Sequence, residues 1–122
     1  FCGAGGFSLG FKLAGFEISL AVDRDLDVVT TYKANFVNTN VMMTDLSRTH
    51  SSDLKIIYDK IDVIIASPPC EAYTLVNKNI MPDPLDRLYT DIRGRLMLDT
   101  IRLIGDLKPD IFVIENVPGI LI

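Results

Sequence analysis

Short apolar runs alternate with stretches of helical spacing along almost the whole chain, and few folds accept that order. Residues 18–22, Val41-Met42-Met43, Asp62-Val63-Ile64-Ile65-Ala66 and Ile111-Phe112-Val113-Ile114 read as strands. They are apolar throughout instead of alternating, which marks a parallel sheet covered on both faces. The third run is the clearest, because its β-branched residues are bounded by charge before and by Ser67-Pro68-Pro69 after. Between the runs, Phe7, Phe11 and Ala14 share one helical face that stops at Gly15, and Asp25 can cap a helix with Val28, Val29, Tyr32 and Phe36 on one side. Ser51 or Ser52 can cap the next helix, through Leu54, Ile57 and Tyr58. A polar loop then runs to about Asp91, before a long helix marked by Leu96, Leu98, Ile101, Ile104 and Leu107 and closed by Lys108-Pro109. Strand and helix in alternation predict an α/β fold, a Rossmann-like, doubly wound and mainly parallel sheet.

In such sheets a ligand lies beyond the carboxyl ends of the strands. Every unusual segment of this chain follows a strand: the glycine turn, Asp23, Asp45, Ser67 to Cys70, and Glu115 to Val117. The 122 residues suit one domain, and no apolar stretch reaches the roughly 20 residues of a membrane span. With no basic-then-apolar leader either, an intracellular protein, cytoplasmic or nuclear, is the expected class. Two cysteines, Cys2 and Cys70, far apart and without a histidine cluster, speak against a disulfide scaffold and against a metal site. A net charge of −4 argues against this segment gripping a polyanion by itself. Phe1 opens directly onto a glycine turn that would normally follow a strand, so the chain reads as a truncated piece, the cofactor half of a larger protein.

Phe1-Cys2-Gly3-Ala4-Gly5-Gly6 looks like a dinucleotide-type turn, where missing side chains let the backbone approach a ligand. It is not a strict match, since position 8 is serine. Asp23, 20 residues after Gly3, stands where a carboxylate can accept two hydrogen bonds from ribose hydroxyls. Asp45 can take an adenine amino group or serve as a loop acid. In Ser67-Pro68-Pro69-Cys70 two prolines fix the backbone after a buried strand and so hold the next side chain rigidly. A cysteine there is either a nucleophile, since thiolate attacks carbon readily, or simply a packed side chain. Glu115 follows the neighbouring strand, so that its carboxyl can enter the same pocket among apolar walls and donate a proton, or else tie a loop.

Phe1-x-Gly3-x-Gly5-Gly6, Asp23-x-Asp25, Asp45-Leu46, Pro69-Cys70, Asp91-x-Arg93-Gly94-x-Leu96 and Glu115-Asn116-Val117 occur in the order and approximate spacing of the cytosine-C5 DNA methyltransferases. The chain resembles the N-terminal part of that family over essentially its whole length. The resemblance implies an S-adenosylmethionine site lined by Phe1, Gly3, Gly5, Gly6, Asp23, Arg24, Asp45, Leu46, Pro69 and Leu96. It implies Cys70 as nucleophile at C6 of a flipped-out cytosine and Glu115 as the group that holds the exocyclic amine and N3. Asn116 would order the loop of Glu115, and Arg93 and Arg95 would meet a phosphate or be plain surface arginines. Two positions depart from the family pattern: Glu71 replaces the usual glutamine after the cysteine, and Arg24 stands where a large aromatic is common. The family's target-recognition region and closing segment are not within these residues. Alternatives are a transfer-RNA methyltransferase of the same family, a non-catalytic S-adenosylmethionine-binding regulatory module, and an NAD-dependent oxidoreductase. The last would give no task to Pro69-Cys70 or Glu115. His50 and the methionines receive no role.

Overall fold

Glycine and acid set the local structure at both ends of the first helix–strand–helix unit. In the computed structural model, which describes residues 1–55, 60–74 and 81–121, Gly5 takes a left-handed conformation (φ 99°) and opens α1, Gly6–Leu13. α1 ends as a Schellman motif. The Gly15 amide donates to the Lys12 carbonyl and the Phe16 amide to the Phe11 carbonyl, both at 3.1 Å, while Phe11 and Phe16 meet edge to face. Strand β1, Leu20–Asp23, leads into α2, Leu26–Asn35, whose first amides at Asp27 and Val28 donate to the Asp25 carboxylate. The predicted cap and most of the predicted face are met: Val29, Tyr32 and Phe36 are buried, and Val28 is half-buried. Strand β2, Asn40–Met43, pairs parallel with β1 from Leu20↔Asn40 to Asp23↔Met43. Ala21, Tyr32 and Phe36 form the core of this unit, with Cys2 and Val41 packed against it. Tyr32 is fully buried, stacks on Phe36 with ring centroids 4.6 Å apart, and donates its hydroxyl proton to Ser8 Oγ at 2.7 Å.

The chain divides into two compact units, Phe1–Thr49 and His50–Ile122. The second begins with α3, Ser51–Lys55. Neither Ser51 nor Ser52 precedes it as a cap: Ser51 is already helical, and the Asp53 carboxylate reaches back to the His50 amide at 3.2 Å, the reciprocal half of a capping box. Ile57 and Tyr58 lie outside the described residues. Strand β3, Val63–Ala66, pairs parallel with β4, Ile111–Ile114, from Val63↔Ile111 to Ala66↔Ile114.

Two expectations need correction in this unit. The stretch before Asp91 is not loop throughout, because Asp83 caps and Pro84 opens a helix α4, Pro84–Tyr89. The Asp-Pro pair carried that signal. The long helix α5 starts earlier, at Ile92, and runs to Leu107 with Leu96, Met97, Thr100 and Leu103 buried, while Ile101 is exposed. Its C-terminus is where the sequence put it, at Lys108 with φ 51°. In β4, Ile111 and Phe112 are 59% and 56% exposed. A 3-10 turn, Pro118–Leu121, follows β4.

Candidate active site

The first unit gathers the glycine turn and two acids at the carboxyl ends of β1 and β2. Gly3 (φ 55°) and Gly5 (φ 99°) both need the left-handed region, and a methyl group built on Gly5 would run into the ring of Phe36. Gly6 differs, since a Cβ there meets nothing. Asn35 Nδ2 donates to the Ala4 carbonyl at 3.0 Å and so ties the turn to the end of α2. No side chain caps α1, so its first-turn amides remain directed at whatever approaches the turn.

Asp23 is already held by backbone donors. Oδ2 accepts from the Gly3 amide at 3.1 Å, and Oδ1 from Arg24 and Asp25 at 2.8 and 3.3 Å. A carboxylate offers about four acceptor positions, which leaves one on Oδ2 for a ligand where the sequence suggested two. The Gly3–Asp23 bond was not foreseen, although the 20-residue spacing held its signal. Two residues past β2, Asp45 Oδ1 accepts from the Ser47 amide and hydroxyl at 3.0 and 2.8 Å. Those bonds, the hydroxyl's first, hold the Asp45 carboxyl below the ordinary range. Arg24 is exposed, and Phe1 and Leu46 are half-buried.

In the second unit Cys70 and Glu115 issue from the same ends of adjacent strands. The Glu115 amide donates to the Ala66 carbonyl at 2.9 Å and so extends the β3–β4 ladder by one residue. Cys70, four residues beyond Ala66, is half-buried, and its carbonyl receives the amides of Tyr73 and Thr74 at 2.9 and 3.0 Å. The two loops are tied together: Asn116 Nδ2 donates to the Pro68 carbonyl at 3.2 Å, while its Oδ1 accepts from the Val117 amide at 2.9 Å. Asn116 therefore ties the turn after Glu115 to the loop of Pro68. The Glu115 side chain is exposed, not enclosed by apolar walls. Its proton-donor role, which that enclosure supported, loses its argument, whereas a hydrogen-bonding role does not need it.

Arg93 directs its guanidinium at Asp91, Nε to Oδ1 at 3.0 Å and Nη2 to Oδ2 at 2.7 Å. That fork holds the Asp91 carboxyl down and the Arg93 guanidinium up, with Glu71 adding a smaller electrostatic contribution to Arg93. Arg95 is exposed and donates to the Tyr89 carbonyl at 2.7 Å. Pro69 is half-buried, and Leu96 is buried in the first turns of α5. Sequence reasoning missed three residues around these loops. Tyr73, 1% exposed, donates its hydroxyl to the Gly94 carbonyl at 3.1 Å, and burial pushes its phenol up. A methyl on Gly119 would run into the Tyr73 carbonyl. Arg87 is buried beneath the same turn. All three fall in stretches that composition marks only as polar or turn-like.

Among the described residues no group of three or more histidine, cysteine or acidic side chains can hold a metal, and no helix is long and apolar enough to cross a membrane. The profile of the C-5 cytosine-specific DNA methylase family matches residues 1–122. The type II methyltransferase M.DdeI of Desulfomicrobium norvegicum is 39% identical over 121 residues, which cover 99% of this chain and 27% of that protein. The putative type II methyltransferase M.MJ0563P of Methanocaldococcus jannaschii is 45% identical, covering 98% of this chain and 40% of its own length. Among solved structures, a putative prophage-encoded DNA modification methyltransferase from E. coli superposes with TM-score 0.81 at 33% identity, over all of this chain and 32% of its own. The DNMT2 of Spodoptera frugiperda gives 0.68 at 28% identity, over 98% of this chain and 34% of its own. The chain thus spans less than half the length of these relatives. Its fold is the Rossmann-like α/β fold of the methyltransferases, with parallel strands. From the glycine turn at its start to the Glu-Asn-Val turn near its end, the chain belongs to the C-5 cytosine-specific DNA methylases.

Proposed function

We propose that this chain carries the cofactor site and the nucleophile of an enzyme that methylates carbon 5 of cytosine in DNA. The observation that carries the reading is the pairing of β3 with β4. It brings Cys70 and Glu115 to the same ends of neighbouring strands, and Asn116 ties their loops through the Pro68 carbonyl.

The residues of the first unit fit S-adenosylmethionine. Gly3 and Gly5 leave backbone exposed to a ligand, the uncapped amides of α1 suit a carboxylate, Asp23 Oδ2 keeps one acceptor position for a ribose hydroxyl, and Asp45 stands beyond β2 for an adenine amine. Phe1, Gly6, Arg24 and Leu46 complete the proposed set in this unit. When bound, the cofactor supplies a methyl carbon on a positively charged sulfur, which carbon 5 of the base takes. The Cys70 thiolate adds to C6 of the cytosine, breaking the C5–C6 double bond and placing negative charge on the ring. Glu115 holds the exocyclic amine and N3 as that charge develops. Loss of the C5 proton restores the double bond and expels Cys70. Attack from above the ring plane requires the cytosine to leave its stack.

Covalent trapping tests this. The intact protein, given S-adenosylmethionine and DNA containing 5-fluorocytosine, whose fluorine cannot leave as the proton does, should form an adduct that Cys70→Ala abolishes. An adduct that persists in Cys70→Ala removes the nucleophile assignment. Trapping only by transfer RNA replaces DNA as substrate, and no adduct from protein that binds S-adenosylmethionine turns the reading to a regulatory module.

A further inference from the structure

An arginine that no part of the proposed chemistry uses lies buried under the turn that carries Glu115. Arg87, in α4, is 9% exposed, and among the described residues its guanidinium donates to three main-chain carbonyls: Nε to Met81 at 2.6 Å, Nη2 to Pro82 at 3.0 Å and Nη1 to Gly119 at 3.2 Å. The first two acceptors belong to the segment just before α4, and the third to the 3-10 turn that follows Glu115-Asn116-Val117. One rigid fork on α4 thus reaches a turn 32 residues further along the chain. The Arg87 backbone is itself fixed, because its carbonyl fills the place a Cβ of Gly94 would take. Gly119 is held from a second side, where the Tyr73 carbonyl fills the place of its own missing Cβ. Tyr73 lies three residues after Cys70 and donates to Gly94.

We propose that Arg87 is a positioning residue for Glu115, acting through the Gly119 carbonyl, so that the acid keeps its place relative to the Cys70 loop while the substrate ring accumulates charge. The proposal rests on the methyltransferase reading. Arginine suits the task because its planar fork offers five donors in fixed directions and stays charged when buried, whereas lysine offers one point charge. Charge-assisted bonds to carbonyls are also stronger than neutral ones.

The test uses the intact protein with Arg87→Lys and Arg87→Met, and with Arg102→Ala on the exposed side of α5 as reference. Amide exchange over residues 115–121 is measured without substrate, and single-turnover methylation of cytosine DNA with S-adenosylmethionine is followed alongside adduct formation with 5-fluorocytosine. Both Arg87 variants should exchange faster by about tenfold at the Val117 and Ile120 amides, as expected on losing a hydrogen bond that pins the turn. The methylation rate should fall roughly 10- to 100-fold while KM for S-adenosylmethionine stays within about twofold, the pattern of a misplaced catalytic group and not of lost binding. Millimolar methylguanidine should restore part of the rate to Arg87→Met and none to Arg102→Ala. Unchanged exchange overturns the proposal, as does faster exchange with an unchanged rate. A fall in melting temperature with rate and KM lost together also overturns it, since that marks support of the fold alone. Failure of the wild-type protein to form an adduct removes the methyltransferase reading, and the catalytic part of this proposal with it, whatever the exchange data show.

Discussion

Two adjacent glycines in the first turn do different work, and a single methyl group separates them. At Gly5 the left-handed backbone and the ring of Phe36 both forbid a side chain, so Gly5→Ala should destabilise the protein by about 1–3 kcal/mol. Gly6 has ordinary backbone and open space at Cβ. Gly6→Ala should leave the melting temperature within a degree or two, given effects of a few tenths of a kcal/mol at such sites. If the proposed site is right, it should nonetheless weaken S-adenosylmethionine binding, because the added methyl stands in the turn that the ligand would approach. Calorimetric melting beside titration of the cofactor reads both variants. Equal losses of stability would contradict the geometry, and undiminished binding in Gly6→Ala would take that residue out of the site. The string of glycines was legible in the sequence, but not which one answers to Phe36, because that ring arrives from 31 residues away.

At the scale of elements, caps decide where the helices near the site begin. Asp91 caps α5 by accepting from the Arg93 amide at 2.9 Å, and it also binds the Arg93 guanidinium. Because its carboxyl is held below the ordinary value, chiefly by Arg93, its contribution to stability is complete above the unfolded pKa near 4 and is lost as pH falls through the lower folded value. Asp91→Ala should therefore lower stability near neutrality by about 1 kcal/mol, the usual loss of such a cap, and flatten the acid limb of a stability–pH profile. A variant that keeps the wild-type acid limb would remove Asp91 from that role. Helix boundaries closed by strong local chemistry were readable in advance: Asp25 for α2, and Lys108 before Pro109 for α5. α4 escaped because six residues offer too little apolar periodicity to rise above a proline-rich background.

For the molecule as a whole, charge and chain pairing matter more than any one contact. With a net charge of −4 and the Arg93 fork engaged by Asp91, this chain offers little to a phosphate backbone. Replacing both Arg93 and Arg95 by alanine in the intact protein should change the slope of log affinity for DNA against log salt by less than about one, whereas two genuine phosphate contacts would change it by nearly two. Filter binding across a salt series separates these outcomes. The site itself follows the ladder: Ala66 faces Ile114, and the next amide along, that of Glu115, still bonds back to Ala66. Side chains on a strand alternate between two faces with a period of two, so one residue gained or lost in β4 would send the acid to the far side of the sheet. Two would return it to the correct side one step displaced from Cys70. The placing of this acid is in that sense a matter of parity. Changes of chain length that reach β4 can keep its face only in even steps.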